Sequence, residues 1–314
     1  MTGQYPCPAV AGAPVSFGVF EMTPAGAPII PPEEMLSILT ESGYDGVDLG
    51  PVGYLGRGME LRERLARHGL ELAGGWMQLP LSDDRLFNES LPVLTATIGI
   101  FHDAVNWSGT ARPRHLPLPT LADAGSAARR AAPGRGAEVD ALTDAAWQRL
   151  VSNAQRAADI VRTAGFEPTF HHHAGTYVES PDEIDRFLGA TDIGLTLDIG
   201  HLAIAGGDPV EALHCWGSRV NHLHVKDVDR AILDRVLAAG GGMPEVWASG
   251  AFTALGRGDI DLRAVMDAVM AAGFDGWIVV EQDVLNPPGV DIAEFAKARA
   301  ADQRASRDML REWV

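Results

Sequence analysis

The sequence predicts a single (β/α)₈ barrel, and three observations support this fold. Predicted strands alternate with predicted helices along the chain, which indicates a parallel sheet covered by helices. Eight strand candidates can be placed, the number that a closed barrel requires. The chain has 314 residues, of which 46% are hydrophobic. That length suits one α/β barrel of about 250 residues or more, so we expect residues 1–314 to form one domain.

A weak internal repeat marks the points where helices pass into strands. In each copy a glycine is followed by a bulky apolar residue, an acid and an apolar run. The glycine suits the left-handed residue that closes a helix. The apolar run suits a parallel strand that is covered on both faces. The four copies are Gly43-Tyr44-Asp45, Gly69-Leu70-Glu71, Gly165-Phe166-Glu167 and Gly273-Phe274-Asp275.

The predicted elements follow from these junctions and from hydrophobic periodicity. The strands are placed at 14–19, 46–49, 70–75, 116–122, 168–172, 193–198, 220–226 and 277–281. Helical patterns lie between most of them, at 32–42, 59–68, 142–164 and 262–272, and a last helix is predicted at 292–311. A doubly wound sheet is the rival fold, but it usually carries a Gly-rich phosphate turn after an early strand. The segment Ser16-Phe17-Gly18-Val19 is not such a turn.

Two segments break the regular alternation, at 109–139 and 236–258. The first is rich in Arg, Ala, Pro and Gly, and the second in Gly and other small residues. Both are predicted to be extended loops. The second follows strand seven, so it should lie over the catalytic end, where long loops often act as lids. A disordered surface insertion is the alternative for the first.

Composition excludes several classes of function. The formal net charge of −17 disfavours binding to phosphate backbones and anionic lipid. The N-terminus lacks the pattern of a signal peptide, and no apolar run approaches the length of a membrane span. Two cysteines, Cys7 and Cys215, make no disulfide framework. We therefore expect a cytoplasmic protein that acts on small molecules, with no nucleic-acid or membrane partner; a homo-oligomer remains open.

Strands five and six end in polar residues, where a barrel carries its catalytic groups. Strand five ends in His171-His172-His173, and alternation places His171 and His173 on one face and His172 in the wall. Asp198 ends strand six, and an unpaired buried charge is costly. Asp198 therefore binds a metal or orients His201, unless it caps the next helix.

Strands seven and eight carry a second set of ionisable groups. His222, His224 and Lys226 fall on one face of strand seven, where a barrel interior normally holds branched apolar residues. Glu281 ends strand eight as Asp198 ends strand six, and Asp48, ending strand two, is a weaker case of the same pattern. Carboxylates with imidazoles and no nearby cysteine favour manganese, cobalt or magnesium over a structural zinc site, with iron or a catalytic zinc as alternatives.

These motifs resemble the xylose isomerase-like barrel superfamily, which includes sugar epimerases, apurinic endonucleases and inosose dehydratases. Leu197-Asp198-Ile199-Gly200-His201 is similar to its strand-six motif, and His222-Leu223-His224-Val225-Lys226-Asp227 to its strand-seven motif. Within the superfamily the chain most resembles inosose dehydratase. The segments that carry this likeness are His171 to Thr176, Gly43 to Pro51, Leu118 to Asp123 and Glu281-Gln282-Asp283.

The resemblance implies a divalent metal held by an acid of strand five together with Asp198, His224 and Glu281. The chain departs from the broader pattern because His171 stands where many relatives carry Glu. We assign the fourth ligand to Glu179 in the following loop, with His171 as the alternative. Two further departures indicate a different polyol substrate: Asp48 stands where Glu is common, and Phe17 where Trp is common.

The function that the resemblance implies is metal-dependent dehydration of a keto-cyclitol, by proton abstraction next to a carbonyl. A metal there acts as a Lewis acid on the ketone, and positioned side chains move the protons. The predicted catalytic residues are Glu281, Glu179, His173, Lys226 and His201. The predicted substrate-binding residues are His171, His201, His222, Lys226, Asp48 and Gln282. A metal-dependent ketose epimerase or isomerase is the nearest alternative, and a non-catalytic sugar-binding or accessory subunit is a further one. The net charge disfavours a nuclease.

Overall fold

The structure is a computed structural model that describes residues 8–24, 26–105, 115–286 and 289–314. Within these residues, eight parallel strands close into a barrel, which confirms the predicted fold class. The strands are β1 Ala9–Gly12, β2 Gly46–Asp48, β3 Glu71–Leu79, β4 Leu118–Asp123, β5 Thr169–His171, β6 Gly194–Asp198, β7 Val220–Val225 and β10 Trp277–Val280. Around the barrel they follow the order β1-β10-β7-β6-β5-β4-β3-β2. A small antiparallel pair lies outside the barrel, formed by β8 Asp227–Val228 and β9 Phe252–Thr253.

Helices cover the outside of the barrel and follow its strands. They are α1 Pro32–Ser42, α2 Gly58–His68, α3 Asp84–Val105, α4 Ala127–Arg130, α5 Gly136–Val139, α6 Asp144–Thr163, α7 Pro181–Ala190, α8 Ile199–Ile204, α9 Pro209–Trp216, α10 Arg230–Ala238, α11 Met243–Ser249, α12 Leu262–Ala271 and α13 Ile292–Leu310. Among the described residues no helix is both long enough and apolar enough to cross a membrane.

The repeated glycines close helices as the sequence predicts. Gly43, Gly69, Gly165 and Gly273 have φ angles of 85°, 65°, 88° and 69°, a left-handed conformation that is unfavourable for residues with a Cβ atom. Each glycine turns the chain out of a helix, and the apolar residue that follows enters the next layer of the core. The repeat is therefore a repeat of αβ junctions.

The prediction for strand one is wrong. The first strand is Ala9–Gly12, and the segment predicted as a strand begins with a 3₁₀ turn at Pro14–Phe17. Proline fixes φ and lacks an N–H donor, so it favours the first turn of a helix over a central strand. Ala9 to Gly12 pair with β10 on one side and with β2 on the other, so the neighbouring strands hold this short segment in the sheet.

The two segments predicted as extended loops contain ordered elements. Strand β4 and the short helices α4 and α5 lie within 109–139, and residues 109–114 lie outside the described residues. Segment 236–258 contains the end of α10, all of α11 and strand β9. Both segments pack over the C-terminal end of the barrel, because residues of each line the cavity described below.

The interior of the barrel changes from apolar to polar along its axis. At the N-terminal end the buried Trp277 packs with Ala9 and Ala11, and Val279 belongs to the same cluster. Alternation along β10 places residues 277, 279 and 281 on one face. Glu281 therefore follows directly above an apolar plug, and the charged groups gather only at the C-terminal end.

Candidate active site and metal centre

Four buried side chains converge at the C-terminal end of four neighbouring strands. They are His171 of β5, Asp198 of β6, His224 of β7 and Glu281 just after β10, and we call them the donor cluster. His171 Nε2 lies 3.1 Å from His224 Nδ1 and 3.4 Å from Asp198 Oδ2. His224 Nδ1 lies 3.6 Å from Asp198 Oδ2 and 3.0 Å from Glu281 Oε2.

Asp198 uses its two carboxylate oxygens for two different purposes. Oδ1 accepts hydrogen bonds from the backbone N–H groups of Gly200, at 3.0 Å, and His201, at 2.9 Å, and so caps α8. Oδ2 faces the donor cluster, where it lies 3.4 Å from His171 Nε2, 3.6 Å from His224 Nδ1 and 2.9 Å from Lys226 Nζ. The two sequence interpretations of Asp198, helix cap and cluster member, are thus both compatible with the geometry.

Backbone hydrogen bonds set the orientation of the histidines on β5. His171 Nδ1 bonds to the carbonyl oxygen of His172, so Nδ1 carries the proton and Nε2 presents its lone pair to the donor cluster. His172 points into the barrel wall, as expected, where its Nε2 accepts the N–H of Asp198 at 3.1 Å. This use of one ring nitrogen to orient the other is typical of metal-binding histidines.

Lys226 places a positive charge beside the donor cluster. Its Nζ lies 2.9 Å from Asp198 Oδ2, 2.9 Å from Glu281 Oε2 and 3.0 Å from Asp283 Oδ1. Burial opposes the charge, but these carboxylates outweigh burial and raise the pKa of Lys226 well above its usual value. The pKa of Asp198 is held well below its usual value against the effect of burial, chiefly by Lys226 and His201.

The donor cluster favours the protonated, positively charged form of His224. Burial alone lowers its pKa, but the charge of Glu281 and the hydrogen bonds with Asp198 and Glu281 raise the pKa of His224 to about 10. A metal ligand must be unprotonated. A cation in the donor cluster therefore competes with a proton on His224.

A second group of side chains lies beside the donor cluster. The rings of His173 and His201 are 3.6 Å apart between centroids, and His201 Nε2 lies 3.3 Å from Asp283 Oδ2. His173 Nδ1 bonds to the carbonyl of Ala174 at 2.7 Å, so its Nε2 is the unprotonated nitrogen. Burial lowers the pKa of both histidines well below the usual value, helped for His201 by Lys226. We call His173, His201 and Asp283 the side group.

Asp283 is the member of the side group that the sequence prediction missed as a site residue. It is buried, it lines the cavity and it accepts from Lys226 Nζ at 3.2 Å. Burial and the neighbouring carboxylates raise its pKa, although Lys226 opposes them. The signal was present in the sequence, because alternation places Asp283 on the same side as Glu281.

Asp48 and His222 form a third group with His224, deeper in the barrel. Both ring nitrogens of His222 are buried and have no hydrogen-bond partner among the described residues. Burial and the charge of Glu281 raise the pKa of Asp48 to about 6. A side chain at Gly74 would meet both groups, since an added Cβ would lie 3.2 Å from Asp48 Oδ2 and from His222 Nε2.

The structure does not bring Glu179 to the donor cluster. Its Oε1 accepts from the backbone N–H groups of Gly134, at 2.6 Å, and Gly175, at 2.9 Å, and its Oε2 accepts from Gly136 at 3.0 Å. His171, the alternative that the sequence left open, lies in the donor cluster with Asp198, His224 and Glu281. Glu179 instead ties segment 134–136 to the loop after β5.

A cavity of about 610 Å³ opens above the donor cluster, within the usual range for small-molecule sites. Three of the predicted substrate-binding residues line it: Asp48, His171 and Lys226. The other three do not, namely His201, His222 and Gln282. Gln282 is held by two hydrogen bonds, from its backbone N–H to the Ser16 side-chain Oγ and from its Nε2 to the carbonyl oxygen of Phe252. Sequence reasoning missed the aromatic wall at Trp76, whose ring packs edge-on against His171 and His173.

The donor cluster fits a divalent metal. Ligand atoms around a tetrahedrally coordinated divalent ion are about 3.4 Å apart. The separations between the ligand atoms of the donor cluster run from 3.0 to 3.6 Å. Two imidazoles with two carboxylates and no thiolate suit several first-row metals or magnesium. Cluster and side group are distinct, as their ligand atoms group separately.

Comparisons with known proteins agree with this architecture. The family model described as "Xylose isomerase-like TIM barrel" matches residues 114–313. The chain belongs to the xylose isomerase-like TIM barrel family. An inosose dehydratase of Geobacillus kaustophilus (strain HTA426) is 30% identical over 267 residues, which cover 80% of this chain and 80% of the relative. The motif-based resemblance to inosose dehydratase is thus confirmed, and this family member is an enzyme.

Two solved structures share the family barrel at low sequence identity. The probable 3-DHS dehydratase AsbF from Bacillus anthracis superposes with a TM-score of 0.66 at 14% identity, covering 96% of this chain and 98% of that one. The IolI protein with a binding zinc atom gives a TM-score of 0.67 at 15% identity, covering 98% and 99%. These likenesses establish the fold.

Proposed function

We propose that the protein is a divalent-metal-dependent dehydratase of a keto-cyclitol of the inosose type. The observation that carries the proposal is the donor cluster, which places four ligand atoms at tetrahedral spacing, and three of its residues, His171, His224 and Glu281, line the cavity. The identity with inosose dehydratases over four fifths of the chain supports the substrate class. The proposal takes residues 1–314 as one catalytic domain of a cytoplasmic enzyme that acts on small molecules.

We assign the metal to His171, Asp198, His224 and Glu281, in place of a set that includes Glu179. Bound there, the ion polarises the substrate carbonyl and so makes the neighbouring C–H acidic. Manganese, cobalt and magnesium are the first ions to test, because the donor set is nitrogen and oxygen without sulfur.

The side group and Lys226 supply the proton transfers in this proposal. His173 Nε2 carries a lone pair and lines the cavity, so it takes the proton from the carbon next to the carbonyl. The Lys226 ammonium donates a proton to the departing hydroxyl, which leaves as water as the carbon–carbon double bond forms. The substrate thus loses one hydrogen and one hydroxyl, and the enzyme has moved one proton from Lys226 to His173.

The rest of the side group positions the two residues that transfer protons. The ring of His201 packs against the ring of His173 at 3.6 Å between centroids, and Asp283 contacts His201 at 3.3 Å and Lys226 at 3.0 Å. The two rings share no hydrogen bond, so their contact gives no path for a proton. His201 and Asp283 therefore act as positioning residues in this proposal, and His173 and Lys226 regain their starting protonation by exchange with solvent in the cavity.

The test is turnover of an inosose in deuterated water, followed by NMR, with the protein stripped of metal and then reloaded with manganese. We expect loss of water, loss of the hydrogen on the carbon next to the carbonyl, and activity only after reloading. Reversible interconversion of ketoses without water loss would instead identify an epimerase. Full activity of the chelated protein would refute the metal-dependent reaction.

A further inference from the structure

The cavity has a second polar edge on the side away from the donor cluster. In the closed barrel β3 lies four strands from β7, and β4 lies four strands from β10. Strand β7 contains His224 and is followed by Lys226, and strand β10 is followed by Glu281 and Asp283. Gln78 of β3 and Ala124, directly after β4, therefore face them across the mouth, and both line the cavity.

Arg130 joins Gln78 at this edge. The carbonyl oxygen of Ala124 accepts from Arg130 Nη1 at 2.9 Å and from Gln78 Nε2 at 3.3 Å, so the two donors lie side by side. Both side chains line the cavity. The Nε and Nη2 groups of Arg130 make no hydrogen bond to the described part of the chain, which leaves guanidinium N–H groups available to a ligand.

The backbone that carries Arg130 is firmly held. The preceding residue, Arg129, is buried and donates to Glu183 Oε1 and to the carbonyl of Thr176, both at 2.8 Å. Gly175 lies against Arg130, since an added Cβ there would be 3.1 Å from the Arg130 Cα atom. The guanidinium is thus presented from a fixed support, which lowers the entropy cost of binding a ligand.

The charge of Arg130 is not matched by a carboxylate. No ion pair involves it within residues 8–24, 26–105, 115–286 and 289–314, although the chain has 42 acidic and 25 basic residues. Lys226, which also lines the cavity, contacts three carboxylates. A guanidinium left unpaired in a cavity suits a pair of adjacent oxygens, which its planar fork binds with two N–H groups.

We propose that Arg130 and Gln78 form a distal subsite that binds two adjacent oxygens of the substrate, on the side of the ring away from the donor cluster. The oxygens belong either to vicinal hydroxyls or to a carboxylate, which share this geometry. The inference rests on the proposed function, because it takes the ligand to be a cyclic polyol or keto acid whose carbonyl lies at the cluster. Arg130 is then a specificity-determining residue.

Binding of two unreactive ligands tests the subsite separately from turnover. Calorimetry with myo-inositol, which offers vicinal hydroxyls, and with shikimate, which offers a carboxylate, is run on the manganese-loaded protein. We expect Arg130→Met to weaken binding of at least one ligand about tenfold or more, since a hydrogen bond to a charged group is stronger than one between neutral groups. The ligand that is affected identifies which oxygen pair the subsite takes.

Two further variants show what the guanidinium contributes. Arg130→Lys keeps the charge without the fork, so binding should stay weakened, and Gln78→Leu should weaken it by a smaller factor. Arg85→Met is the matched control, because Arg85 is exposed and, within the described part of the chain, its ion pair is with Glu89 on its own helix. Manganese affinity should be unchanged in every variant.

Turnover separates this inference from the proposed function. With a turned-over inosose, Arg130→Met should raise KM with kcat nearly unchanged, because the contact is the same in ground and transition states. Unchanged binding of both ligands in Arg130→Met, or no binding of either to the wild-type protein, overturns the subsite. Ligand binding that depends on Arg130 without any loss of water from an inosose overturns the dehydratase and leaves the subsite standing.

Discussion

Strands β4 and β6 both end in a buried aspartate, and the two carboxylates have opposite electrostatic environments. Asp123 accepts N–H groups from Gly125, at 2.7 Å, and Tyr177, at 3.2 Å. Burial raises its pKa to about 6. Asp198 also accepts two backbone N–H groups, but its second oxygen faces Lys226 and two histidines, and its pKa falls well below the usual value.

The comparison shows that an acid at the end of a barrel strand does not by itself make a metal site. Both aspartates serve the backbone of the loop that follows them. Asp198 differs from Asp123 because of the two strands beside it. Strand β5 contributes His171, and strand β7 contributes His224 and leads into Lys226. The site arises where polar residues end several adjacent strands.

The largest expected effect comes from Asp198→Ala, with Asp198→Asn as its partner. Both remove a charged donor that faces the cluster, so metal content should fall to a small fraction and metal-dependent turnover by about 10³-fold or more. The asparagine variant keeps an oxygen for the α8 cap and should stay close to wild-type stability. Metal analysis, turnover and thermal unfolding are measured together.

Asp208 provides the control for the helix cap. Its Oδ1 accepts from Val210 and Glu211 at the start of α9, on the surface. Asp208→Ala should cost about 1 kcal/mol of stability and leave the metal content unchanged. If Asp198→Asn held metal and turned over like the wild type, Asp198 would be a structural cap like Asp123, and the contrast between the two strands would disappear.

His171 gives the next effect in size. His171→Ala removes one of four donors and should weaken metal binding by about 10–100-fold. His171→Glu should recover most of that loss, because a carboxylate is an equally suitable ligand for these metals. Titration with manganese, followed by calorimetry, measures both. Equal affinity of His171→Ala and the wild type would remove His171 from the ligand set.

Alternation and strand position predicted most of the donor cluster. A period of two places His171 with His173 and His222 with His224, and an acid that ends an apolar strand marks Asp198 and Glu281. These signals are local, so they can be recognised in the sequence without knowledge of tertiary contacts. The helix bounds at Pro32–Ser42 and the closing glycines are predicted for the same reason.

The features that the sequence did not predict depend on contacts between distant segments. Glu179 follows the histidines closely in sequence, but Gly134 and Gly136, more than 40 residues away, bind its carboxylate. Strand β1 is a short run of small residues with weak strand propensity, and its neighbours in the sheet hold it. Arg130 lies in a segment predicted as an irregular loop, and the contacts of its buried neighbour Arg129 with Thr176 and Glu183 help to hold it over the cavity.

Substitution of Glu179 should cause a moderate loss of folding stability. Glu179→Ala leaves three backbone N–H groups without their acceptor, and buried unsatisfied groups of this kind cost about 1–3 kcal/mol. Thermal or urea unfolding should show a loss of that order, with metal stoichiometry unchanged. A variant that folded normally and lost its metal would restore Glu179 to the ligand set in place of His171.

The smallest expected effect is the pH dependence contributed by Asp123. Because its pKa in the folded protein, about 6, lies above the usual 3.8, its contribution to stability is present at low pH and is lost as pH rises through 6. Asp123→Asn does not titrate, and its side-chain oxygen can still accept from Gly125 and Tyr177. The variant should therefore gain on the wild type by about 2 kcal/mol between pH 4 and pH 7. Urea unfolding of both proteins across this range measures the difference. A difference that stayed flat with pH would mean that the pKa of Asp123 keeps its usual value in the folded protein, so that burial would not explain the contrast between the two strands.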